Sequence, residues 1–150
     1  MLLLDKMRTL AMADATLRAA LFNPTNNTFR WFDTQLNPGY INQGTCVSVR
    51  QVSTVPLYSM QGQLASEMAR VQIDVRDLNS VTAKNVAADI CDWLAGVSFN
   101  DLSPFESPAT SSRDGQNIKL NQRSSQDFNV QPTPAWVETL DYRILNDQKN

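Results

Sequence analysis

The stretch ARVQIDVRDLNSVTAKNVAADICDWLAGV, residues 69–97, decides the fold. It is a two-faced strand running into a two-faced helix. Ala69, Val71, Ile73 and Val75 alternate with Arg70, Gln72, Asp74 and Arg76, the period of two that sets one sheet face on a core. A turn at Asp77–Asn79 ends that period. Val86, Ile90, Trp93, Leu94 and Val97 then recur at helical spacing, with Ser80 placed to cap the N-terminus. A second strand of the same kind, ETLDYRIL at 138–145, directs Leu140, Tyr142 and Ile144 inward. Thr139, Asp141 and Arg143 then point outward.

Upstream of this unit, residues 2–22 carry Leu3, Met7, Leu10 and Ala11 on one helical face, and Leu17, Ala20 and Leu21 continue it. Asp14 is placed to cap a second short helix after a bend near Ala13. Asn23-Pro24 stops the helix, because a residue before proline avoids helical geometry. TFRWFDT (28–34) predicts a strand with Phe29 and Trp31 alternating against Arg30 and Phe32. Asn37-Pro38-Gly39 is a turn. TCVSVRQV (45–52) is a further strand. Residues 53–67 are expected to be a long loop carrying Leu57, Tyr58, Met60 and Leu64. Residues 98–115, rich in Ser, Pro and Asp, are expected to be a surface excursion. Residues 116–124 give another strand, and a proline-bearing loop, 126–135, leads into the last. Residues 1–150 thus read as one α+β domain: a two-layer sandwich of about five mainly antiparallel strands with two helices on one face.

Composition narrows the chemistry. A chain of 150 residues, 42% hydrophobic and 19% charged, buries a core without disulfide or metal support. Its net charge of -2 and pI near 5.0 are a poor footprint for a protein that clamps nucleic acid. Histidine is absent, which removes the commonest general base and metal ligand together. Cys46 and Cys91 lie far apart with no partner motif, and each reads as a small buried apolar residue. The opening MLLLDKMRTLAM has no basic segment before its leucines and does not read as a secretion signal. No stretch approaches the length of a membrane helix. The Asn26-Asn27-Thr28 sequon is taken as chance.

Four groups merit weighing. Asp74, Glu138 and Asp141 are expected to approach one another on the outer face, where paired carboxylates support acid–base or metal work. Arg70, Arg76 and Arg143 share that face, however, and alternating charge is ordinary sheet design. Phe29, Trp31, Phe32 and Trp93 suit base stacking, but their spacing fits core packing better. No nucleophile elbow or phosphate-cradling glycine loop occurs. No catalytic residue, cofactor or metal site is therefore expected. The mixed face of Arg70, Gln72, Asp74, Arg76, Asp141 and Arg143 is solvated, a subunit interface or a channel lining. Leu57, Tyr58 and Met60 on the 53–67 stretch form an apolar patch of the kind that meets a partner.

The segments 69–97, 138–145 and the opening MADATLRAALF (12–22) together resemble the tail-terminator, or tail-completion, proteins of long-tailed bacteriophages. The order is the same: helical opening, strands, an RVQIDV-like strand, a helix and a terminal LDYRI-like strand. The chain departs in longer loops at 23–28 and 98–115, and in Asn-Pro-Thr-Asn-Asn (23–27) where a Gly-Asp element often stands. The resemblance implies a virion protein assembled in the host cytoplasm. It implies a self-made ring, commonly of six copies, on the head-proximal end of the tail tube. Such a ring halts tube growth, joins the head-completion protein and lets DNA pass through its lumen without specific binding. Leu57, Tyr58 and Met60 are then expected to face the tube. Another head–tail connector ring is the nearest alternative, and a small hydrolase or binding domain a more distant one.

Overall fold

The computed structural model describes residues 3–33, 44–60, 62–96, 118–128 and 135–147. Its main element is a five-stranded sheet with β5 (Gly62–Asp77) in the middle. β4 (Cys46–Ser59) and β7 (Ala135–Asp147) flank β5, and β3 (Trp31–Phe32) and β6 (Ile118–Phe128) lie outside them. β3 runs parallel to β4, and the other pairs are antiparallel. Helices pack on one face. α3 (Ser80–Gly96) covers β5 and β7, while α1 (Leu3–Ala13) reaches β4. The architecture is the α+β sandwich that the alternating strands require.

The core follows from the period of two. Ala69, Val71, Ile73 and Val75 are fully buried, and Ile73 stands between Val49 of β4 and Leu140 of β7. Val71 likewise faces Tyr142, and Ala69 faces Ile144. α3 lays Ala83, Val86, Ala87, Ile90 and Leu94 on this surface. Trp31 is buried, stacked on Phe29 at 6.3 Å, with Trp93 edge-on at 5.7 Å. Trp93 itself is only half-buried: it seals the rim of the core rather than filling it.

Several expectations need correction. The cap of α3 is Asn79, not Ser80, since Asn79 Oδ1 accepts from the Val81 amide at 2.9 Å. The opening helical segment does divide after Ala13, as expected, into α1 and α2 (Ala15–Leu21), with Asp14 accepting from the Leu17 amide. The 28–34 strand is broken. β2 (Thr28–Phe29) pairs with β1 (Phe22–Asn23), and β3 starts two residues later, at Trp31. The break is Arg30, a buried residue whose guanidinium donates to the Thr45 carbonyl at 2.8 Å and the Ala20 carbonyl at 3.0 Å. Gly44, at φ +137°, leaves room for it; a Cβ there would sit 3.0 Å from Arg30 Nη2.

The largest correction concerns residues 53–67. They are not a loop but the far half of a long β4–β5 hairpin. Register shifts fall between Gln51 and Ser53 and between Pro56 and Tyr58, so alternation changes phase twice within the segment. That hides a strand from any search for a constant period. The expected turn at 37–39, the excursion at 98–115 and Val97 lie outside the described residues.

Truncating Trp31 to Ala is expected to cost about 3–5 kcal/mol, and Trp93 to Ala about half of that, because only Trp31 is enclosed. Urea unfolding of the two variants checks the order. Equal costs would mean that Trp93 is as deeply buried as Trp31.

Candidate protein interface

On the other side of the sheet, among the described residues, no helix packs, although at one end Cys46 and Val137 are buried beside Arg76. Ser48 and Arg50 of β4, Arg70, Gln72, Asp74 and Arg76 of β5, and Thr139, Asp141 and Arg143 of β7 stand there in register. The six residues singled out from sequence, Arg70, Gln72, Asp74, Arg76, Asp141 and Arg143, are thus brought to one face. Glu138 is not with them. It lies opposite Val75 on the helical face, wholly buried, and accepts from the Trp136 indole at 3.1 Å. The phase of β7 dictates this, because Glu138 shares parity with Leu140 and Tyr142. Sequence reading missed both Trp136 and Lys84, whose ammonium lies 4.9 Å from the Trp136 ring centroid. Trp136 falls at the start of β7, just before the stretch with readable alternation.

Side chains on the bare face are tied to one another. Arg70 grips Asp141 with both nitrogens, the shorter contact being 2.7 Å. That hydrogen bonding, reinforced by the carboxylate charge, holds the Arg70 guanidinium above its ordinary value. Asp74 accepts from Thr139 Oγ1 at 2.9 Å and from Gln72 Nε2 at 3.1 Å, and Gln72 in turn accepts from Arg50 at 2.9 Å. The Arg76 Nε is buried with no hydrogen-bond partner among the described residues. Both aspartates are therefore engaged in cross-strand ties rather than poised around a shared ligand. Among the described residues no group of three or more His, Cys, Asp or Glu side chains gathers as a metal site.

The hairpin forms the second feature. From Arg50 to Val55 every β4 side chain is exposed, including Val52 at 46% and Val55 at 58%. Met60, at the turn, is fully exposed. β4 pairs with β3 only at Val47 and Ser48, so its outer edge beyond them has no partner strand among the described residues. Residues 51–63 contain no charged side chain. An uncharged edge strand with exposed apolar residues is what soluble proteins normally guard against, unless a partner covers it. Leu57 and Tyr58 fall on the backbone of this arm, and their side chains lie outside the described residues.

Where β4 begins, polar groups close the sheet. Asp77 accepts from Thr45 Oγ1 at 2.6 Å and from the Asn79 amide at 2.7 Å, joining strand, turn and helix. Cys46 is buried beside them, and Cys91 is half-buried. Burial pushes the Cys46 thiol from 9.0 to about 11, with Arg30 partly opposing the rise.

Comparison of the chain with protein-family models and with curated proteins gives no match. Among the described residues no helix is long and apolar enough to cross a membrane.

The Cys46 shift fixes a pH dependence. Above pH 9.0 the unfolded chain releases this proton while the folded chain keeps it up to about 11. Folding stability contributed by the neutral thiol is therefore whole below pH 9.0 and lost as pH rises toward 11. Cys46→Ala is expected to remove a loss on the order of 2 kcal/mol across that window, read by urea unfolding at several pH values. Identical pH profiles for the two proteins would contradict the placement of Cys46.

Proposed function

We propose that this chain is a structural ring protein of the phage tail-terminator type. In this role it caps the head-proximal end of a tail tube and joins it to the head-completion protein. One observation carries most of the weight: the sheet is finished by helices on one face only, while an uncharged β-arm extends from its edge. A domain that works alone has little need of a long exposed arm whose residues 51–63 carry no charge. A subunit that builds a ring and meets tube or connector needs several separate contact surfaces. The ties on the bare face favour assembly over chemistry, since Asp74 and Asp141 are held by Thr139, Gln72 and Arg70. In this proposal the arm, with Val55, Met60 and the Leu57–Tyr58 positions, meets the tube. DNA passes through the lumen without specific contacts.

Adding the purified protein to polymerising tube subunits of the same virion tests the function. Electron micrographs are expected to show tubes capped at one end and stopped in growth. Replacing Val55 and Met60 with Ser should leave the fold intact and restore uncontrolled elongation. Unchanged tube lengths with the unmodified protein would contradict the terminator role and leave the connector ring as the better assignment.

A further inference from the structure

Two clusters of like charge lie on opposite layers of this sandwich. On the bare sheet face Arg70 stands directly opposite Arg143, and position 119, a lysine, is in register with Arg143 on its other side. Three basic residues therefore occupy one row across β5, β7 and β6. Like charges in directly opposed positions destabilise a sheet, and Asp141 pairs with Arg70 rather than with Arg143. On the helical layer, Asp89 and Asp92 stand three residues apart on α3, a like-charged pair on one side of a helix. Residues 85–96 contain no lysine or arginine to balance them. Among the described residues Arg143, Asp89 and Asp92 form no ion pair. Each cluster is unfavourable in an isolated chain, and each carries the sign that the other lacks.

Within one chain the sheet separates them. We infer that the bare sheet face of one copy docks on the outward side of α3 of the next copy, with Arg70 and Arg143 meeting Asp89 and Asp92. This rests on the ring reading and names the surfaces that close the ring. The outward side of α3 suits the approach. Asn85, Ala88, Asp92 and Ala95 are exposed along one stripe, and all are short enough for a sheet to lie close. A contact between two different surfaces is heterologous, so it propagates head to tail and closes wherever the rotation per copy allows. A nucleic-acid backbone is the rival occupant of the basic row. Asp74 and Asp141 embedded in the same face, and the net charge of -2, argue against it.

Charge reversal tests the docking. Arg143 and Asp92 are both exposed, so Arg143→Glu and Asp92→Arg are expected to keep the thermal unfolding midpoint of the unmodified chain. In sedimentation velocity each variant alone should self-associate about tenfold more weakly or worse, because every contact then opposes like charges. Mixed one to one, the two variants should assemble again, since each sheet face finds an α3 of opposite sign. The double variant in a single chain should do the same. Assembly of both single variants as strong as that of the unmodified chain would overturn the docking while leaving the ring intact. So would Arg143→Glu losing only affinity for fluorescent duplex DNA. If the unmodified chain stays monomeric at every concentration, the ring reading falls and the docking falls with it.

Discussion

Strict alternation along β5 constrains everything else in the molecule. Because β5 is central, its apolar set of Ala69, Val71, Ile73 and Val75 meets partners on both sides and a helix above. Slipping β5 by one residue against its neighbours would turn that set out to water and bring Arg70, Gln72, Asp74 and Arg76 into the core. Each of the four apolar side chains is worth about 1–3 kcal/mol on burial, so the register is strongly fixed. It also decides which residues can meet on the outer face. The tie of Arg70 to Asp141 and that of Asp74 to Thr139 are consequences of core register, not separate designs.

Polar groups finish what register begins. The strand must stop where α3 starts, and Asp77 holds that corner by accepting from Thr45 on β4 and from the backbone of Asn79. Arg30 does the same for the edge. Its guanidinium bridges the Thr45 and Ala20 carbonyls, and its own carbonyl accepts from the Val47 amide. Both groups are buried, and both are satisfied by partners more than nine positions away in sequence. Losing either would strand buried polar atoms, which costs more than the bond itself contributes. The helical layer and the sheet are thus fastened at one end, and the hairpin turn lies at the other.

Legibility in the sequence followed the constancy of the period. β5, and most of α3 and β7, keep one period, so their faces were largely readable, and the six outer-face positions fell where alternation put them. The arm was not readable, because two register shifts and Pro56 broke its phase. Glu138 was misplaced since a charge was assumed to point outward, whereas the phase of Leu140 and Tyr142 carries it inward. Arg30 was hidden for a similar reason: it alternates as an outward residue should, yet long-range carbonyls draw it in. Asn79 took the cap from Ser80 because its carbonyl accepts the first helical bond, from the Ala83 amide. The basic row came from strand pairing alone, since no sequence spacing sets Arg70 beside Arg143.

The proposed role as an assembling subunit rests on a sheet with helices on one face, an exposed arm and two opposite charge clusters on opposite layers. Native mass spectrometry of the unmodified protein over a range of concentrations tests that claim most directly. The account predicts a single closed assembly at a fixed multiple of 16.8 kDa, unchanged as concentration rises further. A lone species at 16.8 kDa at every concentration would contradict it.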